Sequence, residues 1–292
     1  MSQVSSKSQF DQIRQLVKYW RESKAMYRPP REALQIYEDH MAMIRSRKDA
    51  SVLILGVTPE LRMLALKNGC RVTAVDNNTI AIKAMDEFMD YAGLDRGKET
   101  ILKYNWLDMP MKKRQYDLVL GDGSLTMLTN FEDLENLLAR LGELLKPDSY
   151  FSTKVGVYLD DWAQSGILDI LEKYKQRSKK SLPEFFGPEL VFELMFCRDS
   201  YNERNGQMSY AKLIQKLRTS FKAGRISKSE FDFLHQNWIS VFEFWEEIGM
   251  GMVLVLPKRE HLESLLAKYF LIISRTDDPY IPHYLLGSKS PH

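Results

Sequence analysis

Four short stretches of this 292-residue chain carry side chains whose types and positions suit chemistry on a bound small molecule. Gly56 follows the apolar run Ser51-Val-Leu-Ile-Leu55, and Asp76 follows Arg71-Val-Thr-Ala-Val75. Asn105 and Trp106 follow the segment from Thr100 to Tyr104, and Asp122-Gly123 follows Tyr116-Asp-Leu-Val-Leu-Gly121. A glycine between a strand and a helix lets a ligand approach the backbone and meet the free N–H groups of the helix's first turn. A carboxylate about 20 residues further on can accept both hydroxyls of a ribose. An amide can pair with the donor–acceptor edge of an adenine, and an indole can pack on its ring. The segment Gly56-Val-Thr-Pro-Glu-Leu61 lacks the GxGxxG pattern, which argues against a dinucleotide pyrophosphate. Each stretch also has a plain structural explanation: a helix cap at Asp76, a turn and a core residue at Asn105-Trp106, a tight turn at Asp122-Gly123. Their order across successive strand ends favours the functional one.

The elements that must position these residues follow from hydrophobic periodicity. Phe10, Ile13, Leu16, Val17 and Trp20 share one helical face, and Arg28-Pro29-Pro30 breaks that helix. A second helix runs from Ala33 to Ile44. The continuous apolar run at 51–55 predicts a strand buried on both faces, and the segments 71–75, 100–104, 116–120 and 150–157 predict further strands. Helices are predicted from Thr58 or Pro59 to Leu66, from Thr79 to Tyr91, and from Asn130 or Phe131 to Leu145, where Lys146-Pro147 stops the last. Such alternation requires βαβ units, and right-handed crossovers then make a parallel sheet with helices on both faces. Ligands of such sheets sit beyond the carboxyl ends of the strands, which singles out Gly56, Asp76, Asn105, Asp122 and Tyr158. The expected class is α/β, a Rossmann-like doubly wound, mostly parallel sheet. The expected division is an N-terminal helical segment at 1–49, a cofactor-binding core at 50–158, a helical cap or insertion at 159–249, and a C-terminal part of the core sheet at 250–292. That last part is read as a helix from Pro257 to Tyr269, a strand from Phe270 to Ser274 and a final edge strand from Tyr280 to Leu286.

The segments Val52-Leu-Ile-Leu-Gly-Val-Thr-Pro-Glu60, Val72-Thr-Ala-Val-Asp76, Asn105-Trp-Leu-Asp-Met-Pro110, Tyr116-Asp-Leu-Val-Leu-Gly-Asp122 and Leu144-Leu-Lys-Pro147 together resemble successive motifs of class I S-adenosylmethionine-dependent methyltransferases. The resemblance covers about 50 to 157, a little over a third of the chain. It implies that Gly56, Val57 and Thr58 line the methionine part of S-adenosylmethionine and that Asp76 holds the ribose hydroxyls. It further implies that Asn77 lies by the adenine and that Asn105 and Trp106 meet the adenine edge and face. Asp122 and Gly123 would lie beside the methionine amino group and the sulfonium. Two departures stand out: the first motif has one glycine where the family has two or three, and Asn105 stands where an Asp is common. An Asn accepts from an adenine amino group without charge assistance.

Composition narrows the partners. Lys and Arg total 41 against 39 Asp and Glu, a net charge of +2, so nothing drives the chain globally toward nucleic acid or an acidic membrane. Basic residues outnumber acidic ones two to one before Asp49 and nearly so between 171 and 230, yet no dense basic run or RNA-binding module appears. Nucleic acid is therefore disfavoured as a partner. The two cysteines, Cys70 and Cys197, have no metal-ligand spacing and read as buried thiols of a reducing compartment; no metal is expected. No apolar run approaches the ~20 residues of a membrane helix, and no secretory signal is visible, so a cytoplasmic location is expected.

The reading that unites these features is methyl transfer from S-adenosylmethionine to a small-molecule O- or N-nucleophile held between the strand ends and the cap. Candidate substrate contacts are Tyr19, Trp20, Arg28, Tyr158, Asp160, Trp162, Arg198, Tyr201 and His235, the last three with surface roles as the plain alternative. The aromatic spacing of Trp238, Phe242 and Trp245 reads as core. No catalytic base can be named. The rivals are a cofactor-binding protein without catalysis that acts as a partner or regulator, an NAD-dependent oxidoreductase, and an RNA methyltransferase.

Overall fold

A computed structural model describes residues 8–22, 28–159, 164–178, 181–182, 186, 188–251 and 253–289 of the chain. The apolar runs form a seven-stranded sheet. Strand β1 (Ser51–Leu55) lies between β2 (Arg71–Asp76) and β4 (Tyr116–Asp122) and runs parallel to both. Strand β3 (Glu99–Lys103) pairs parallel with β2, and β5 (Leu145–Lys154) parallel with β4. Strand β10 (His283–Ser288) is antiparallel to both β5 and β9 (Phe270–Arg275). The order is β3-β2-β1-β4-β5-β10-β9, a mostly parallel Rossmann-like sheet with flanking helices. Strands β1 and β4 are buried along their whole length, which explains the apolar runs Val52–Leu55 and Leu118–Leu120 at their centres.

The helices that matter for the strand ends are α1 (Gln9–Arg21), α2 (Arg31–Ala42), α3 (Pro59–Lys67), α4 (Thr79–Tyr91) and α5 (Phe131–Leu144). The side chain of Ser8 caps α1, and Asn78 caps α4 through the N–H groups of Ile80 and Ala81. Arg62 of α3 is fully buried and binds Glu99 of β3 at 2.7 Å and Asp86 of α4 at 2.7 Å. That ion-paired bridge fixes α3 against the sheet and α4, and with it the turn that leads out of Gly56.

The chain forms two units. The first comprises residues up to Leu125, Glu135–Val155 and everything from Glu263; the second comprises Thr126–Leu134 and Gly156–Leu262. The second contains α6 (Ile167–Ser178), α7 (Pro188–Met195), α8 (Tyr210–Lys222), α9 (Lys228–Leu234), α10 (Ser240–Glu247) and a small antiparallel sheet of β6 (Tyr201–Asn202), β7 (Gln207–Ser209) and β8 (Val253–Val255). Trp238, Phe242 and Trp245 are buried there with edge-to-face rings, as their spacing requires.

Three expectations need correction. Residues 250–262 do not belong to the main sheet: Leu254 pairs with Met208, so the segment's first strand completes the small sheet, and only β9 and β10 return to the large one. The final strand is not an edge strand, because β10 inserts between β5 and β9. Strand β5 begins at Leu145 and ends at Lys154 instead of running from Tyr150 to Val157. Its early start tolerates Pro147 because the register shifts there, with Asp148 at φ 56°. Among the described residues no helix is long and apolar enough to cross a membrane.

A polar file crosses the first unit between α2 and the sheet. His40 Nδ1 lies 2.8 Å from Ser152 Oγ, which lies 2.8 Å from His283 Nε2. The ring of His283 packs 4.3 Å from that of Tyr37, and its Nδ1 is buried without a partner. Burial, with added repulsion from His40 and Lys154, pushes His283 down to about 3; burial likewise lowers His40, against the pull of Asp39. A base depressed below its unfolded value of about 6.5 stabilises the fold above that pH and loses the contribution as pH falls toward 3. Unfolding midpoints in urea should therefore fall as pH drops from 6.5 to 5, and His283→Gln should flatten that slope. A slope unchanged by the substitution would contradict the assignment.

Candidate functional site

The carboxyl ends of β1, β2 and β4, with the turn after β3, bring the predicted chemistry-bearing residues of the first unit together. Gly56 leaves β1 with φ 97°, a conformation that side-chain-bearing residues rarely adopt. Its N–H donates to the carbonyl of Val75 at 2.8 Å. The indole Nε1–H of Trp106 donates to the same carbonyl at 2.7 Å. A Cβ built on Gly56 would lie 3.9 Å from Asp76 Oδ2 and 4.0 Å from Trp106 Cζ2. Glycine, carboxylate and indole thus form one small concavity, with room that a side chain at 56 would take up.

Asp76 is half-buried at the end of β2, where its Oδ1 accepts the N–H of Asn78 at 2.8 Å. Burial raises its carboxyl to about 6, against the N–H groups of Asn78 and Asn77, which favour the ionised form. Asn77 is exposed beside it. Val57 is buried, and Thr58 precedes Pro59 at the start of α3 without a side-chain cap bond, so the helix's first turn keeps open N–H groups. Asn105 departs from expectation. Its Oδ1 accepts the N–H of Leu107 at 3.0 Å and caps the 3-10 turn Trp106–Asp108. One lone pair of that oxygen serves a local turn, which leaves the second lone pair and the side chain's NH₂ as the groups it can offer.

Asp122 sits fully buried at the end of β4. Its Oδ1 receives the ammonium of Lys154 at 2.9 Å and the phenol O–H of Tyr37 at 3.2 Å, while Tyr37 also donates to the Gly121 carbonyl at 2.9 Å. Its Oδ2 is buried without a partner. Burial raises the carboxyl, Lys154 and Tyr37 oppose the rise, and the charge of Glu60 adds to it. Gly123 follows at φ 71°, its N–H on the Lys154 carbonyl at 3.0 Å. Lys154, Tyr37 and Glu60 were not singled out by the sequence. Lys154 is the residue that directly ends β5, so the strand-end rule that found the others finds it once the strand's true end is known.

The substrate candidates scatter. Trp20 Nε1 and Arg28 Nε both donate to Glu60 Oε1, at 3.1 and 2.9 Å, and Arg28 also holds the Trp20 carbonyl at 3.2 Å. These two are brought together at the first turn of α3, engaged with each other; Tyr19 is half-buried one residue earlier. In the second unit Tyr158 and Tyr201 stack with centroids 3.5 Å apart, and the Tyr201 hydroxyl donates to the Leu256 carbonyl at 2.9 Å. Arg198 is exposed, 3.9 Å from Asp169 and bonded to the Gln164 carbonyl. His235 lies on the surface 3.2 Å from Glu243. Asp160 and Trp162 lie outside the described residues. Among the described residues no group of three or more His, Cys, Asp or Glu is placed to hold a metal ion.

No family model matches the sequence, and no curated protein does. Solved structures do match the fold. A Rhodobacter sphaeroides protein provisionally described as a Zn-dependent alcohol dehydrogenase aligns over 98% of this chain and 100% of its own, with TM-score 0.55 and 15% identity. The PH0226 protein of Pyrococcus horikoshii aligns over 87% of this chain and 89% of its own, with TM-score 0.51 and 12% identity. The Burkholderia thailandensis 1,6-didemethyltoxoflavin-N1-methyltransferase, solved with 1,6-didemethyltoxoflavin and S-adenosylhomocysteine, aligns over 99% of this chain and 93% of its own, with TM-score 0.50 and 13% identity. At such identities the likeness concerns the fold. The chain has a Rossmann-like fold, which it shares with these proteins, a methyltransferase among them.

The Asp122–Lys154–Tyr37 cluster makes a test of this geometry. Lys154→Met leaves a buried carboxylate without its counter-ion and should lower stability by about 3–5 kcal/mol. Tyr37→Phe removes the one O–H that Asp122 Oδ1 and the Gly121 carbonyl share and should lower it by about 0.5–1.5 kcal/mol. Urea unfolding of the two variants checks the order; a reversed order would contradict the ion pair as the dominant contact.

Proposed function

We propose that the chain binds S-adenosylmethionine at the ends of β1 to β4 and transfers its methyl group to a small-molecule O- or N-nucleophile. The observation that carries this reading is the concavity of Gly56, Asp76 and Trp106 around the Val75 carbonyl. Its donor set fits an adenosyl group: a half-buried carboxylate for ribose hydroxyls, an indole for a purine ring, and a glycine that leaves the space open. In this reading Val57 and Thr58 flank the methionine portion, Asn77 lies by the adenine, and Asn105 offers its NH₂ to a ring nitrogen. Asp122, with Gly123 beside it, places negative charge near the ammonium and sulfonium, and Lys154 and Tyr37 fix the direction of that carboxylate.

The bound cofactor supplies a methyl group already activated on a sulfonium. The protein's part is to bind, orient and exclude water. A small acceptor is supported by the even charge of the chain and by the Burkholderia enzyme of this fold, whose ligands are S-adenosylhomocysteine and a small heterocycle. An NAD-dependent oxidoreductase on the same sheet draws support from the name given to the Rhodobacter protein. The first turn speaks against it, since a pyrophosphate needs the close backbone approach that a lone glycine does not provide. A chain that binds the cofactor without turnover, and acts as a partner, shares the same site. The proposed location is the cytoplasm.

Calorimetric titration with S-adenosylmethionine, S-adenosylhomocysteine and NAD tests the reading: the first two should bind and NAD should not. Binding of NAD alone would replace this proposal with the oxidoreductase. Because Asp76 protonates near 6, affinity for S-adenosylmethionine should weaken as pH falls from 7 to 5. Asp76→Ala should weaken it by about 1.5–3 kcal/mol at pH 7 and make the pH dependence shallower. An unchanged dissociation constant in the folded variant would remove the ribose assignment.

A further inference from the structure

The outer edge of the main sheet carries a surface that the methyl-transfer reading does not use. Strand β9 is last in the sheet order, so one side of its backbone pairs with β10 and the other has no strand among the described residues. Only its first residue, Phe270, is buried; the five that follow are exposed. Seven large hydrophobic residues are exposed among the described residues, and four belong to this strand and the loop after it: Leu271 at 57%, Ile272 at 39%, Ile273 at 50% and Tyr280 at 38%. Consecutive branched residues on a sheet edge are a liability for a monomer, since they join open backbone groups to an apolar surface. The strand lacks the usual defences of proline or an inward-pointing charge. It has one irregularity, a register shift that sets Ile273 between the partners of Leu286 and Leu285. Leu271 and Ile273 both overhang Gly287 of β10, so their side chains stand on one face with nothing large beneath them.

The charges at the two ends of β9 say what covers it. The start of the strand has Lys268, which binds Glu135, and Lys289, whose ammonium donates to the Ala267 and Lys268 carbonyls. The end has Asp277, exposed, and Asp278, whose carboxylate caps the N–H groups of Tyr280 and Ile281. Arg275 there is matched by Glu263. The start is thus net positive and the end net negative. An antiparallel neighbour with the same polarity along its length meets both ends with opposite charge, and a two-fold axis through the middle of the strand supplies that neighbour from the same sequence. We infer that β9 is the contact through which two copies of this chain form a two-fold dimer, edge against edge, with Leu271, Ile272 and Ile273 packed against their equivalents. The register shift at Ile273 keeps the backbone ladder short and leaves the branched side chains as the main contact.

Sedimentation velocity over concentrations on the order of 1–100 µM tests this, with the full chain alone as its own probe. The expected species is twice the 34.1 kDa of the chain. Ile273→Lys should weaken the dimer by about a hundredfold, since it removes a buried branched side chain and places an ammonium at the two-fold. Leu271→Glu, further from the register shift, should do the same and guards against a local folding defect; circular dichroism and retained cofactor binding confirm the fold of both. Asp277→Lys should weaken the dimer by about three- to tenfold by reversing the charge at one end. A monomer at every concentration would overturn the inference. So would a dimer insensitive to both apolar-site variants, or a polydisperse assembly in place of a dimer.

Discussion

One backbone carbonyl organises the candidate site. The oxygen of Val75, at the end of β2, accepts the N–H of Gly56 from β1 and the indole N–H of Trp106 from the turn after β3. A carbonyl has two lone pairs, and here both are used. The first bond ties Gly56 to the end of β2 one residue past β1, outside the parallel register, and sets where the chain turns toward α3. The second fixes the plane and position of an aromatic ring that would otherwise swing freely. The next residue along β2 is Asp76, so the carboxylate is placed by the same strand that supplies the anchor. Three chemically distinct groups from three strand ends therefore keep fixed relative positions without contacting one another through their own polar atoms. That pre-arrangement is what a site needs if binding energy is to go into orientation.

A second constraint lies deeper. Helix α2 enters the first unit through polar groups, Tyr37 to Asp122 and Gly121, and His40 to Ser152. Buried polar contacts of this kind hold one arrangement, because any shift leaves donors and acceptors unpaired in a poorly solvating interior. The N-terminal helices are therefore part of how the sheet ends are presented. The same segment closes on Glu60 through Trp20 and Arg28, at the first turn of the helix that follows Gly56. The price of such a polar interior appears in the shifted protonation of Asp122 and His283, both pushed by burial toward their neutral forms.

Much of the main sheet was legible in the sequence because its central strands β1 and β4 are buried along their length and its parallel strands are apolar-rich segments alternating with helices. The strand-end rule then singled out Gly56, Asp76, Asn105, Asp122 and Tyr158, since a residue type out of character with a preceding apolar-rich segment is visible without any structure. Lys154 was missed because the apolar run continues through Val155 and Val157, past the true end of pairing. Tyr37 and His40 lie within the helix expected from Ala33 to Ile44; their polar atoms find partners more than eighty residues away, a fact no local pattern encodes. Asn105 shows that a side chain suited to a ligand can also cap its own turn, which the sequence reading set beside the ligand role. The division near 250 failed because β8, a strand of three residues, is too short to show a period. The scattered substrate candidates reflect the same limit, since residues distant in sequence converge only through packing.

The central claim is that Gly56, Asp76 and Trp106 enclose an adenosyl group. The most direct measurement is a crystal structure of the chain grown with S-adenosylhomocysteine. The account predicts both ribose hydroxyls on the Asp76 carboxylate, the purine against the Trp106 indole, and the thioether passing over Gly56 toward Asp122. A ligand bound elsewhere on the chain, or bound here with its ribose turned away from Asp76, would contradict it.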